Sequence, residues 1–310
     1  MKKQSHVVLD SLRHNLGPVV TEALGNPDII EVMLNDDGRL WLDSFSRGLV
    51  EAGRIDHNQA SSILRVIASM LGNVVTQENP IVEGELPLDG SRFEGIFPPV
   101  AASPSFTIRK KALRIFSLAD YVESGIMEPV HKEVIREAVK NKKNLLVVGG
   151  TGSGKTTLAN AILAELSASC PGDRLVIIED TCELQCTSEN KLLLRTNRTT
   201  TMRQLLKATM RLRPDRIIVG EVRDGAALDL LKAWNTGHPG GICTVHANSC
   251  AGGLLRLAQL ISEVSSSPME ELIREAVDLV IFIAKTPDGR QVKELAMVNN
   301  NRLETISKEE

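Results

Sequence analysis

Aromatic residues make up only 3% of this 310-residue chain, and no stretch interleaves them with basic residues. Proteins that grip single-stranded nucleic acid stack bases on aromatic rings along a basic groove, so the composition argues against a RecA-like single-strand motor. Positive charge is not in excess either. The 36 Lys and Arg against 39 Asp and Glu leave a formal net charge of -3, unlike a generic binder of phosphate backbones, and no sequence-specific nucleic-acid partner is expected. No apolar run reaches the roughly 18 residues a spanning helix needs, and the opening MKKQSHVVLD is too short and polar for a signal peptide. A cytoplasmic protein is expected.

Cysteine is sparse and unpatterned. Cys170, Cys182, Cys186, Cys243 and Cys250 are odd in number and read as reduced thiols. Cys182 and Cys186 have C-x3-C spacing without a second pair or a nearby histidine cluster, so ordinary side chains are expected rather than zinc ligands. The remaining composition, 42% hydrophobic and 24% charged, is that of a globular chain long enough for two domains.

The first part of the chain reads as a small α+β domain over residues 1–112. Ile29 to Leu34 and Leu40 to Asp43 flank an Asp37-Gly38 turn, the pattern of a β-hairpin. Ile63, Leu64, Ile67, Met70 and Leu71 form the stripe of an amphipathic helix. Leu86 to Ile96, with Asp89-Gly90 inside it, predicts a second hairpin, and Phe106 to Arg109 a further strand. Residues 113–128, with a Ser117-x-x-Asp120 capping box, read as a linker and short helix.

Over 129–310 helices and strands alternate. Strands are expected at Leu145 to Val148, Leu175 to Ile178, Ile217 to Gly220 and Gly241 to Val245. Helices are expected at His131 to Lys140, Leu158 to Leu166, Met202 to Arg211, Ala226 to Ala233 and Glu270 to Ala276. That order implies a mostly parallel sheet with right-handed crossovers and ligands at the strands' carboxyl ends. Leu279 to Ala284 and Val292 to Val298 read as an edge hairpin around Pro287-Asp288-Gly289-Arg290. Arg211 and Arg213, in an Arg-x-Arg-Pro run, read either as a brace for the site or as a helix stop.

The sharpest feature lies at the first of those parallel strands. LLVVGGTGSGKTT, residues 145–157, is a buried-strand pattern running into GxxxxGK[ST], and an apolar helical stripe follows. Gly149, Gly150, Gly152 and Gly154 let the backbone turn tightly and aim successive N–H groups, with those of Thr151, Ser153 and Thr157, at an anion. Lys155 is placed to reach β and γ phosphates, and the Thr156 hydroxyl to sit on Mg²⁺. Three other strands end in polar residues: Glu179-Asp180, Glu221 and His246. Phosphoryl transfer needs a carboxylate on the metal side and one to polarise the attacking water. Glu221 is assigned to the first task and Glu179 to the second, with the exchange left open. His238 and His246, eight apart around a Gly-rich turn, suggest a loop that senses the γ-phosphate. No Asn-Lys-x-Asp motif for guanine is present, so ATP is the expected nucleotide.

GGTGSGKTT, IEDTCEL, GEVRD and GHPGGICTVHAN, in that order, resemble the secretion-ATPase superfamily that powers type IV secretion, type II secretion and type IV pili. Among its branches the chain looks most similar to the type IV secretion and conjugal-transfer ATPases, the TrbB-like group. FTIRKKALRIFSLADYVESGIM also resembles that group's passage between domains. The resemblance implies a RecA-like P-loop ATPase domain preceded by a smaller N-terminal domain, using ATP and Mg²⁺. Lys155 and Thr156 match the family's phosphate and metal ligands, Glu179 and Glu221 its acidic residues, and His238 and His246 its histidine box. Arg109 matches an arginine that works like a finger on the γ-phosphate, with Arg92 and Arg114 as weaker candidates for the same cleft. Family kin are homohexamers at the cytoplasmic face of the inner membrane, associated peripherally with secretion or conjugation components. Type II secretion ATPases commonly insert Cys-x-x-Cys pairs that this chain lacks, which favours the conjugation side; a type IV pilus or type II secretion ATPase is the alternative within the superfamily.

Overall fold

The computed structural model describes residues 2–44, 47–111, 115–197, 199–286, 289–299 and 302–306, with side chains from residue 9 onward. The chain divides into two compact units, Met1–Leu113 and Arg114–Glu310.

The first unit contains α1 (Lys2–Gly25), β1 (Ile29–Leu34), β2 (Arg39–Ser44), β3 (Gly48–Arg54), α2 (His57–Met70), β4 (Ile81–Glu85), β5 (Arg92–Ile96) and β6 (Ser105–Arg109). Helix α1 breaks at Gly17, whose φ of 77° is outside the helical range, just before Pro18. Asp56 caps α2 by accepting from the Asn58 and Gln59 amides. The six strands form an antiparallel sheet in the order β3-β2-β1-β6-β5-β4. Val32, Leu34, Phe93, Phe106 and Ile108 face a core shared with Leu12, Leu16, Ile63, Leu64 and Ile67 of the helices. The alternate residues of the same strands, Arg92 and Arg109 among them, therefore belong to the opposite face. The hairpin expected from Leu86 onward is shifted. Its first strand is β4, and Leu86 to Ser91 form the connection, closed where the Gly90 amide donates to Leu86 O at 2.8 Å.

The second unit contains α3 (Leu118–Glu123), α4 (Pro129–Lys140), β7 (Leu145–Gly149), α5 (Lys155–Ser169), β8 (Leu175–Glu179), β9 (Lys191–Arg195) and α6 (Met202–Thr209). It continues with β10 (Arg216–Val219), α7 (Ala226–Asn235), β11 (Ile242–His246), α8 (Cys250–Ser262), α9 (Glu270–Ala276), β12 (Leu279–Thr286), β13 (Gly289–Asn299) and β14 (Arg302–Thr305). The sheet order is β14-β13-β12-β7-β11-β10-β8-β9, parallel from β12 to β9 and antiparallel beyond β12. One face is covered by α3, α4 and α5 through Leu118, Ile135, Leu158 and Ile162. The other is covered by α6 to α9 through Leu206, Leu231, Leu257 and Ile273. Because both faces are covered, β7, β8 and β10 are buried at every position, which is why they read as continuous apolar runs.

Several expectations shift here. The segment read as linker and short helix contributes to the core of this unit: Ser117 and Asp120 form the capping box, and Leu118 and Tyr121 are buried. Helix α6 stops at Thr209, with Arg213 at a left-handed φ of 53° before Pro214, so Arg211 and Arg213 belong to a helix stop leading into the amino end of β10. The hairpin expected at the edge is internal on one side, since β12 pairs with β7 and β14 covers β13. Pro287 and Asp288 of its turn lie outside the described residues.

Candidate active site

Strand β7 sits between β12 and β11 and ends at Gly149, where a β-carbon would stand 2.4 Å from both Ile283 O and Ser153 Oγ. Only glycine fits. Gly152 and Gly154 take φ values of 69° and 97°, turning Gly150 to Gly154 into the start of the 15-residue helix α5. The amide-rich amino end of that helix faces the loop, which suits an anion. Lys155 is only 7% exposed, and its ammonium donates to Gly149 O and Gly150 O at 2.9 Å each, with His246 Nδ1 3.3 Å away. The Ser153 hydroxyl is buried with no partner among the described residues. Thr151 is exposed on the loop, and Thr156 and Thr157 are half-buried in the first turn of α5.

The carboxyl ends of the neighbouring strands bring acids to the same crevice. Glu179 closes β8 at 5% exposure, and its Oε1 accepts from the Glu183 and Leu184 amides at 3.0 and 2.9 Å. Gly220 permits this approach, because a β-carbon there would lie 2.9 Å from Glu179 Cγ. Asn160 of α5 grips the same turn, donating to Glu183 O at 3.1 Å and accepting from the Gln185 amide at 2.8 Å. The result aims Glu183 at the loop: the Thr156 hydroxyl donates to Glu183 Oε2 at 3.2 Å.

Glu221 follows β10. Its Oε2 accepts from Arg223 Nη2 and Nε at 2.6 and 3.0 Å. Its Oε1 is buried and lies 2.8 Å from His246 Nε2. His246 ends β11 directly opposite Gly149 in register. An ammonium can only donate, so Nδ1 is the acceptor toward Lys155 and, in neutral imidazole, the proton lies on Nε2 facing Glu221. Burial alone lowers the Arg223 pKa, but the bond to Glu221 and the charges of Glu221, Asp180 and Glu183 outweigh it and hold the guanidinium above its ordinary value.

These donors fit a magnesium-bound triphosphate. One hydroxyl and two carboxylates supply oxygens for a hard cation that keeps several waters and phosphate ligands, and the described residues hold no cluster of three or more His, Cys, Asp or Glu that would bind a metal by itself. All five cysteines are free thiols, and Cys182 accepts from Arg195 Nη2 and Nε at 2.6 and 3.2 Å.

The structure thus brings together residues 149–157, Glu179, Glu221 and His246, and it separates His238 from them. The Gly240 and Gly241 amides donate to Asn144 Oδ1, and Gly241 O accepts from the Leu145 amide, so the Gly-rich turn sits at the amino ends of β7 and β11. The five residues of β11 then span about 16 Å before His246 reaches the loop. His238 lies in the turn before the amino end of β11, at the other end of the strand from His246. Fully buried Arg216 anchors that end by donating to Asp173 Oδ2 at 2.6 Å, Val139 O at 2.9 Å and Gly240 O at 3.4 Å.

Arg92 and Arg109 belong to the first unit, directly opposite one another on β5 and β6. Glu85 and Glu31 are their outer partners in register, and Arg109 Nε lies 3.6 Å from Glu31 Oε1. Arg114 lies outside the described residues. Sequence reasoning missed Glu183, although the second acid of IEDTCEL was its signal. It also missed Arg290 of β13, whose Nε donates to Gly152 O at 3.4 Å.

The family described as type II/IV secretion system protein matches residues 14–305. The chain belongs to that family. Its similarity to secretion relatives extends over most of both proteins: it is 50% identical over 299 residues to the probable conjugal transfer protein TrbB of Sinorhizobium fredii, covering 96% of this chain and 92% of the relative. It is 27% identical over 329 residues to the type IV secretion system protein VirB11 of Bartonella henselae, covering 90% and 91%. Among solved structures, the pilus retraction motor PilT with bound ADP superposes with a TM-score of 0.66 at 18% identity, over 94% of this chain and 83% of that one. The Legionella pneumophila ATPase DotB gives 0.64 at 19%, over 91% and 80%. These two likenesses show the fold over most of the chain.

Proposed function

We propose that this chain is the ATP-hydrolysing motor of a type IV secretion or conjugal-transfer apparatus, powering pilus assembly or export of DNA or protein. Half-identity to a conjugal transfer protein supports the branch. The carrying observation is the convergence of Lys155, Glu183 and Glu221 on the loop after β7. In this reading the loop amides and Lys155 hold the phosphates, and Lys155 trades the Gly149 and Gly150 carbonyls for phosphate oxygens. Thr156 and Glu221 would hold Mg²⁺ with its waters, and the ion would supply charge neutralisation at the transferred phosphoryl group.

Glu179 was expected to polarise water. Its Oε1 is committed to the Glu183 and Leu184 amides, so we assign the polarising carboxylate to Glu183 and a positioning role to Glu179. His246 joins Lys155 to Glu221 and responds when the lysine leaves its carbonyls. By the family resemblance Arg109 acts like an arginine finger on the γ-phosphate, with Arg92 a weaker candidate. Assembly as a homohexamer, held peripherally at the cytoplasmic face of the inner membrane beside other secretion components, belongs to the same reading. No helix among the described residues is long and apolar enough to cross a membrane.

The test is phosphate release from ATP with Mg²⁺, followed with and without EDTA. Turnover that EDTA abolishes is expected; no release above the buffer rate, at protein concentrations where the assembled ring is present, sinks the reading. Arg109→Ala is expected to slow turnover about ten-fold or more with an unchanged melting curve, because the side chain is partly exposed and supports no core contact. A wild-type rate in that variant removes Arg109 from the site.

A further inference from the structure

Glu221 and Arg223 stand two apart just after β10, on an extended stretch whose middle residue, Val222, is buried and donates its amide to Thr244 O at 3.2 Å. Alternation therefore puts both charged side chains on one side. Arg223 then wraps Glu221 Oε2 with two donors, Nη2 at 2.6 Å and Nε at 3.0 Å. The other oxygen is buried and meets His246. A carboxylate held on one oxygen by a cation of its own chain and closed in on the other by an imidazole is not yet a metal ligand.

The two partners differ in their freedom to move. The Glu221 side chain is 18% exposed, whereas that of Arg223 is 52% exposed, on a long flexible stem. Beside them opens a cleft of about 200 Å³ lined by Asp180, Thr196, Asn197, Glu221, Arg223 and Asp224 among others. Thr196 Oγ1 donates to Asp180 Oδ1 at 2.8 Å, and the Ala226 amide to Asp224 Oδ1 at 2.8 Å, so each aspartate is held in place by its first oxygen. A guanidinium leaving Glu221 finds two fixed carboxylates within the cavity it already lines.

We propose that Arg223 is an internal counter-ion that competes with the divalent cation for Glu221 and swings toward Asp180 and Asp224 when the metal and nucleotide seat. Arg223 thereby sets how much metal the site demands, and the cleft it moves through carries the state of the nucleotide to the amino ends of α6, which Thr201 caps, and α7, whose Ala226 amide donates to Asp224. This rests on the nucleotide reading above and adds to it a positioning residue that touches neither phosphate nor metal.

The experiment titrates Mn²⁺ into the full-length protein in the presence of saturating ADP, reading free Mn²⁺ by electron paramagnetic resonance, with thermal melting as a folding control. Arg223→Gln, which keeps length and loses charge, is expected to bind Mn²⁺ about three- to ten-fold more tightly than wild type, and Arg223→Lys to lie between. Unchanged or weaker Mn²⁺ affinity in Arg223→Gln, with ADP binding intact, overturns the proposal and leaves Arg223 as a support for Glu221. Failure of the wild type itself to bind ADP, checked by calorimetry, overturns the nucleotide site instead.

Discussion

Lys155→Ala is expected to lower ATP turnover by about a hundred- to a thousand-fold and to weaken ATP binding as well. The ammonium is nearly buried and donates to two loop carbonyls, so it is held beside the loop where negative charge accumulates. Removing a group that contacts both the resting triphosphate and its transition state should raise KM and reduce kcat together. The fold should persist, since β7 and α5 are fixed by Val147, Val148, Leu158 and Ile162 rather than by the lysine. Steady-state phosphate release with a parallel melting curve checks this; equal rates in variant and wild type exclude hydrolysis at this loop.

Glu183→Gln should separate binding from chemistry more cleanly. Its Oε2 accepts from the Thr156 hydroxyl, and glutamine keeps the shape and a hydrogen bond while losing the charge that polarises water. Turnover is expected to fall about a hundred- to ten-thousand-fold, the range for loss of a general base, with ADP and ATP affinity close to wild type. Glu179→Gln is the companion: its amide oxygen can still accept from the Glu183 and Leu184 amides, so a milder loss is expected. Measured kcat values for the two variants side by side decide between them. A complete block in Glu179→Gln with near-normal turnover in Glu183→Gln assigns the base to Glu179.

Much of this site was legible in the sequence because its constraints are local. Gly149 tolerates no β-carbon, Gly152 and Gly154 need left-handed backbone, and a buried strand must precede them, so the pattern and the geometry carry the same information. The parallel strands were readable for a related reason: two covered faces require unbroken apolar runs. What escaped depended on direction and on partners. His238 and His246 look alike in the sequence, but a strand lies between them and carries one to each end of the sheet. Glu179 and Glu183 were equally acidic in IEDTCEL. Only the turn that bonds Glu179 to the amides of Glu183 and Leu184 shows which one faces Thr156. Helix α8 escaped as well, since its Gly252-Gly253 pair weakens the helical signal, yet a β-carbon at Gly253 would lie 2.6 Å from Val148, so close packing explains that glycine. Strand β9, with Leu193 exposed at the sheet edge, lacks the continuous burial that marked its neighbours.

The most direct measurement is an electron-density map of the protein with Mg²⁺ and a non-hydrolysable ATP analogue. The account predicts phosphates cradled by residues 149–157, Lys155 Nζ moved from the Gly149 and Gly150 carbonyls to phosphate oxygens, Glu221 facing the metal and Glu183 facing the γ-phosphate. An analogue seated elsewhere at saturating concentration, with Lys155 still bonded to its own loop, contradicts it.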